Sequence, residues 1–429
     1  MSVSATLAAS ETIAARRAAG EEVLALAFGE AGIPVHPRLA QRLAQAAAKT
    51  SYGPVSGIRP AREAVAGYWT RRELPTAEHQ VLLGPGSKPL LFAVLRAVGG
   101  DAVVPSPAWV SYAAQAELIG RTPLRVSTPS GQGGVPEADR LRRTVTDARR
   151  AGLDPRIVVA TLPDNPTGRL ASEAAVKGLC EAARELDLVI LADEIYRDLV
   201  FEDGAFPSPA AWAPERTVTT TALSKNYALG GWRIGAARFP DGGEGAELRE
   251  RVRGIASELW SSTPMPMQHA AAYAWSDPEE LTERLTASRR LHGSVARAVA
   301  GIFRSVGCEV GEPQGGFYVW PDFGPLAPVL RERWNIESSQ DLAAVLLDEF
   351  GVGVLPGSAF GDACEPNRKR SGDEDGLRLR VAVPGVYGST ESERLAALMS
   401  DDPVATPWIA DALESLGGKL SALTGTRRP

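Results

Sequence analysis

The sequence predicts an α/β fold: a large domain with a mostly parallel sheet sandwiched by helices, plus a smaller α+β domain built from the N- and C-terminal parts. Three observations carry this reading. Apolar runs without alternation, at residues 156–162 (RIVVATL), 186–192 (LDLVILA) and 218–223, read as strands buried on both faces, the habit of parallel sheets covered by helices. Helical stretches separate the strands, as residues 172–185 do with Ser172 as N-cap. Residues able to do chemistry, namely Ser87, Trp109, Asn165, Asp193 and Lys225, each fall just after a strand, at the carboxyl edge where such sheets bind ligands.

In chain order, residues 5–20 are helical by composition and 23–28 form a short apolar strand. Gly29 follows it, and a glycine there marks either a close approach of a ligand to the backbone or a plain turn. A helix is expected over 36–49. The turn cluster Tyr52-Gly53-Pro54 to Gly57 leads into a helix over 59–72 with Pro60 in its first turn, where proline is tolerated. A strand at 81–83 runs into Gly84-Pro85-Gly86-Ser87-Lys88 and a helix over 89–98. A glycine-bearing turn at a helix start presents free N–H groups and the positive end of the dipole, which suits a phosphate, although an ordinary strand-to-helix turn looks the same. Trp109, in a Pro-rich loop after the strand at 102–105, either stacks on a flat ring or packs in the core.

Further elements are a short strand at 125–126 and helices over 137–151, 244–258 and from 268. A long helix over 278–303 leads into the smaller domain. That domain has strands at 316–320, 352–355 and 377–383, and a helix over 339–350. Residues 362–376 are polar, charged and glycine-bearing, and read as an exposed loop. From Trp408, the residues Ile409, Leu413, Leu416, Leu420 and Leu423 recur at helical spacing. The expected division is 1–50 as an N-terminal segment of the small domain, 51–295 as the large domain and 296–429 as the C-terminal small domain.

Composition excludes several classes. A chain of 429 residues, 44% hydrophobic and 23% charged, buries a sizeable core in two or three domains. Net charge is −6 and no basic cluster is long enough to bind nucleic acid. Cys180, Cys308 and Cys364 are too far apart for a disulfide framework, and His36, His79, His269 and His292 lack a second ligand at metal spacing, so no metal is expected. No apolar run is long enough to span a bilayer and the N-terminus lacks the pattern of a secretion signal, which makes the cytoplasm the expected compartment.

Chemistry concentrates in residues 221–235 (TALSKNYALGGWRIG). A lysine amine forms a Schiff base with a carbonyl when its surroundings let it lose its proton, and Arg233, beyond a Gly-Gly turn, offers a fork of donors to phosphate. Together Lys225 and Arg233 suggest a phosphorylated aldehyde held at both ends, which describes pyridoxal 5'-phosphate (PLP).

With these motifs in order, and with Gln314-Gly-Gly-Phe-Tyr318 and Arg378-Leu-Arg380-Val-Ala382 further on, the chain resembles the class I/II aminotransferases, PLP enzymes of the aspartate aminotransferase fold. The resemblance spans about residues 23–387, and the separations of Asn165, Asp193 and Lys225 are typical of the family. It implies that Lys225 forms the Schiff base and moves the substrate's α-proton, and that Asp193 keeps the pyridine nitrogen protonated. Asn165 and Tyr196 would bond the ring hydroxyl, and Trp109 would stack on the ring. Gly86, Ser87, Lys88, Ser224 and Arg233 would hold the phosphate. Tyr52 would reach the neighbouring subunit's phosphate, implying a homodimer with shared sites. Arg378 would clamp the substrate α-carboxylate, with Asn165 and Gly29 nearby.

Two departures stand out. Ala222 occupies a position where the family often carries Ser or Thr, and Arg380 stands where a small residue is usual, two positions from Arg378 and so on the same strand face; either arginine could be the clamp, or Arg380 could pair with an acid, and Arg378 is the expected one. The expected activity is transfer of the amino group of an L-amino acid to a 2-oxo acid by ping-pong chemistry. The alternatives are a PLP-dependent lyase, cyclase or β/γ-replacement enzyme on the same fold, and a non-enzymatic regulator, for which the N-terminal stretch is too short and too weakly basic.

Overall fold

A computed structural model describes residues 4–129, 131–361 and 376–426. The loop expected over 362–376 lies outside them but for Gly376. A seven-stranded sheet forms the large part of the molecule. Its order is Val81–Gly84, Gly235–Arg238, Thr217–Ala222, Val189–Asp193, Pro155–Thr161, Asp101–Ser106, Pro123–Ser127. Only Gly235–Arg238 runs against its neighbours, so the sheet is mostly parallel.

The unbroken apolar strands are explained by cover on both faces. Val104, Val159, Leu191 and Val218 pack with Leu90, Leu91 and Val94 of the helix Ser87–Val98 and with Leu248 and Val252 of Gly243–Leu259. The intervening residues Val103, Val158 and Ile190 pack with Leu141 and Val145 of Ala138–Arg150 and Val176 and Leu179 of Glu173–Glu185. Each such side chain contributes about 1.5–3 kcal/mol by leaving water, so the sheet is a rigid base for the loops at its carboxyl edge.

The smaller part joins both ends of the chain. Leu24–Ala25 pairs in parallel with Val352–Gly353, and Leu379–Ala382 lies antiparallel between Tyr318–Val319 and Leu355–Pro356. The helix Pro407–Thr424 buries Ile409, Leu413, Leu416, Leu420 and Leu423, the five positions of the expected stripe. The long helix Glu279–Ser305 leads into this part from the large sheet. Among the described residues no helix is long and apolar enough to cross a membrane, and no group of His, Cys, Asp or Glu is placed to hold a metal ion.

Some expectations are corrected. The strand expected over 23–28 stops at Ala25, because the carbonyls of Ala27 and Gly29 accept hydrogen bonds from the side chains of Arg380 and Lys225 instead of joining a ladder. The helix expected over 36–49 is Pro37–Ala46, and the strand at 316–320 is only Tyr318–Val319. The helices Ser111–Leu118, Ala327–Trp334 and Glu391–Met399 were not anticipated. The last had a readable signal: Thr390 and Glu393 form a capping box.

At the carboxyl edge, Gly235 lies opposite Ala222 on one side and Gly84 on the other. A Cβ on Gly235 would sit 2.7 Å from the Gly86 carbonyl carbon, 2.8 Å from the Ser87 nitrogen and 3.0 Å from the Thr221 oxygen, all backbone. Three small residues thus let the Gly86-Ser87 turn settle on the sheet. Gly235→Ala is expected to destabilise by ~1–3 kcal/mol and to weaken retention of a phosphorylated ligand, read by thermal unfolding and by dialysis of the loaded protein.

Candidate active site

A cavity of about 520 Å³ opens at the carboxyl edge of the large sheet, against the smaller part. Lys225, Asp193, Asn165, Tyr196, Trp109, Ser87, Lys88, Ser224, Arg233 and Gly29 line it, as does Arg380. Sequence reasoning had put ten of these eleven at the site, from five separate strand ends and the N-terminal segment.

Asp193 is the last residue of its strand and is 2% exposed. Tyr112 Oη donates to Oδ2 at 2.8 Å and Thr220 Oγ1 to Oδ1 at 3.1 Å. Thr161 Oγ1 in turn donates to Tyr112 Oη at 2.9 Å, so the carboxylate accepts from two hydroxyls, one on the next strand and one on the helix Ser111–Leu118, the latter braced by a third. Burial pushes its pKa up to about 6, opposed by those hydrogen bonds. A positive group brought beside it would pull the value back down.

Lys225 follows the strand Thr217–Ala222 in a single helical turn. Its Nζ donates to the Gly29 carbonyl. Burial pushes the amine down to about 8, and the charge of Arg380 adds to the effect. The lysine is therefore a usable nucleophile and base near neutrality.

The anion end is built from Gly86, Ser87, Lys88, Ser224 and Arg233. Gly86 has φ 92°, and the position its Cβ would take is filled by the Arg233 guanidinium, 2.4 Å away. Arg233 itself adopts the left-handed region, φ 51°, which turns its side chain back over the helix start. Ser87 and Ser224 are buried hydroxyls here, and burial together with Arg233 lowers the pKa of Lys88. Ala222 supplies no hydroxyl; it is fully buried beside Gly235.

Arg378 does not reach the cavity. Its Nε donates to Asp322 at 2.7 Å, across the antiparallel bridge that joins these two segments, and this ion pair holds it outside the cavity. Arg380, and not the favoured Arg378, lines the cavity. It is 1% exposed, and its guanidinium donates to Asn165 Oδ1 at 3.1 Å and to the Ala27 carbonyl. It faces the rings of Tyr318 and Phe360 at 4.7 and 4.9 Å. Its Nε has no partner, and among the described residues no carboxylate lies within ion-pair distance. A buried guanidinium with a free donor is a receptor for a carboxylate.

Tyr52 is 92% exposed and lies outside the cavity. Tyr112, Tyr318 and Thr220 are site residues that sequence reasoning gave no role. A larger cleft, about 740 Å³, lies near Arg71, Arg72 and Arg197, but these arginines are already paired with Asp277, Asp198 and Glu194. It offers no comparable set of free donors.

The residues present fit PLP. Four cations (Lys88, Lys225, Arg233, Arg380) face two carboxylates (Glu30, Asp193) in the cavity, leaving room for anionic groups. The Gly86–Arg233 cradle suits a phosphate, Asp193 a protonated ring nitrogen and Lys225 a carbonyl.

The comparisons agree with this geometry. The model of the family "Aminotransferase class I and II" matches residues 22–386. The aspartate/prephenate aminotransferase of Thermus thermophilus is 32% identical over 369 residues, covering 84% of this chain and 89% of that protein. The aspartate aminotransferase of Geobacillus stearothermophilus is 30% identical, covering 83% of this chain and 89% of that protein. The solved structure of aspartate aminotransferase from Thermus thermophilus with maleate has a TM-score of 0.80 at 26% identity, covering 98% of this chain and 97% of that one. The chain belongs to the class I and II aminotransferases, PLP-dependent enzymes of fold type I.

In the cofactor-free protein, labelling of Lys225 by an amine-acylating reagent is expected to rise with pH through a midpoint of about 8. An ordinary exposed lysine would show its midpoint well above that value. Peptide mass spectrometry across a pH series measures it.

Proposed function

We propose that this protein is an aminotransferase that moves the amino group of an L-amino acid to a 2-oxo acid, with PLP held by Lys225. The observation that carries the reading is the pairing in one cavity of a buried lysine lowered to about 8 with a buried arginine that has a free donor. Bound PLP supplies a carbonyl that receives the amino group and a protonated ring that withdraws electrons.

The chain's residues do the rest. Arg380 binds the substrate α-carboxylate through parallel N–H bonds, and Asn165, already bonded to it, orients the pair. Asp193, fixed by Tyr112 and Thr220, stays ionised against the ring nitrogen. Lys225, once its amine is free, would take the proton from the substrate α-carbon and hold it as an ammonium that can give it back. Its lowered pKa lets it serve as base and acid at the same pH. Phe28 and Ile195 give the same cavity an apolar wall.

The homodimer belongs to this reading. The exposed Tyr52 loop supports a role in a neighbouring subunit's phosphate site, as does the dimeric pattern implied by the family.

The test is the absorption spectrum of the purified protein with PLP, followed as aspartate, glutamate, alanine, phenylalanine and arginine are added singly. Replacement of the cofactor band by that of the aminated cofactor, reversed by a 2-oxo acid, is the expected result. Ammonia release without amine exchange would instead identify a lyase, and no cofactor band at all would remove Lys225 from the chemistry.

Two arginine substitutions check the clamp. Arg380→Lys should weaken binding of a 2-oxo acid by ~100-fold, since a point charge cannot make the two parallel bonds. Arg378→Ala should leave that binding within about threefold of the original, because surface ion pairs contribute little. Spectral titration measures both.

A further inference from the structure

Tyr318 lines the cavity and has no task in the reaction just described. Its place is set by the small sheet. Tyr318 pairs with Ala382 across an antiparallel ladder, which makes Arg380 its diagonal neighbour on the same face. The Arg380 guanidinium therefore lies over the Tyr318 ring, 4.7 Å from its centroid. The Tyr318 hydroxyl is 2.8 Å from the hydroxyl of Tyr196, and the two rings meet edge to face at 5.7 Å and 78°. Tyr318 is 1% exposed and Tyr196 3%.

The pair is closed on one side by Gly29, whose Cβ, if it had one, would stand 2.2 Å from the Tyr318 oxygen. Between two hydroxyls that share a hydrogen bond, one donates and the other accepts. A cation over a phenol ring favours negative charge on its oxygen and so makes that hydroxyl the better donor. Arg380 is closer to the Tyr318 ring than Lys225 is to the ring of Tyr196, 4.7 against 6.0 Å. Consistent with this, Tyr196 is driven further above the ordinary tyrosine range than Tyr318, both chiefly by burial.

We infer that Tyr318 is a positioning residue whose hydroxyl donates to Tyr196, which leaves the Tyr196 proton free to point into the cavity at the ring oxygen of the cofactor. The inference rests on the reading that PLP fills the cavity with that oxygen beside Tyr196. Two hydroxyls in series make a stronger donor than one, because each bond polarises the next. The chain stabilises negative charge on the ring oxygen. That charge is greatest when the bound cofactor has lost its titrating proton, so the chain lowers the pH at which the proton leaves.

The test is a pH titration of the visible absorption of the PLP-loaded protein. Tyr318→Phe keeps the ring under Arg380 and removes only the hydroxyl. Its midpoint should rise by about half to one pH unit, the shift that one lost neutral hydrogen bond supports. Affinity for 2-oxoglutarate should stay within about twofold, because the ring face against Arg380 is intact. In a Tyr196→Phe background the same substitution should produce no further rise, since the effect passes through Tyr196.

An unchanged or lowered midpoint in Tyr318→Phe would overturn the inference while leaving the aminotransferase reading standing. So would a rise that persists undiminished in the Tyr196→Phe background. Absence of a cofactor band in the unsubstituted protein would overturn the reading of the whole cavity, and this inference with it.

Discussion

The constraint on which the site depends is an excess of positive charge that the fold buries and does not neutralise. Arg380 is enclosed with no carboxylate at ion-pair distance among the described residues, and Lys225 lies beneath it with only Asp193 and Glu30 to offset the charge. Burying an unpaired charge costs several kcal/mol even after relaxation. The protein lowers that cost with neutral groups: carbonyls of Ala27 and Gly29, the amide of Asn165, and the faces of Tyr318 and Phe360. None of these removes the charge. Lys225 responds by giving up its proton more easily, while a guanidinium cannot, and so Arg380 keeps both its charge and a free donor for an incoming carboxylate.

That arrangement requires an accurate base. Asp193 sits in the middle of the sheet, in register with Thr161 on one neighbour and Thr220 on the other. Thr220 and Tyr112, the latter on the helix Ser111–Leu118, donate to it, and Thr161 braces Tyr112. The carboxylate also lines the cavity. The phosphate end depends on the opposite property, the absence of side chains. Gly84, Gly235 and Ala222 make a low seam on which the Gly86-Ser87 turn rests, and Arg233 fills the space left by the missing Cβ of Gly86.

Much of this was legible in the sequence because it is local. Buried parallel strands announce themselves as unbroken apolar runs, and the residue after each run inherits a place at the carboxyl edge. Ser87, Asn165, Asp193 and Lys225 could be assigned on that rule. The choice between Arg378 and Arg380 could not, because both stand on one strand face. It was decided by contacts remote in sequence, Asp322 for one and Asn165 with Ala27 for the other. Tyr112 stands three residues after Trp109, but its role depends on which strands lie next to its helix. The stretch 23–28 resembled a strand by composition, yet its last residues spend their carbonyls on the site.

The same remote contacts explain why the site lies where the two parts of the molecule meet. Lys225 comes from the large sheet, Arg380 from the small one, and the N-terminal segment touches both, through the carbonyls of Gly29 and Ala27. Gly29 is held between them, its carbonyl on the lysine and its α-carbon against the Tyr318 hydroxyl. A side chain there would force Tyr318 away from Tyr196 and shift the ring on which Arg380 rests. Gly29, four residues beyond the strand at Leu24–Ala25, therefore has a requirement that its own segment does not impose. Its smallness is set by Tyr318, a side chain that enters from elsewhere in the chain, and the backbone of residues 27–29 ties Lys225 and Arg380 together through two carbonyls.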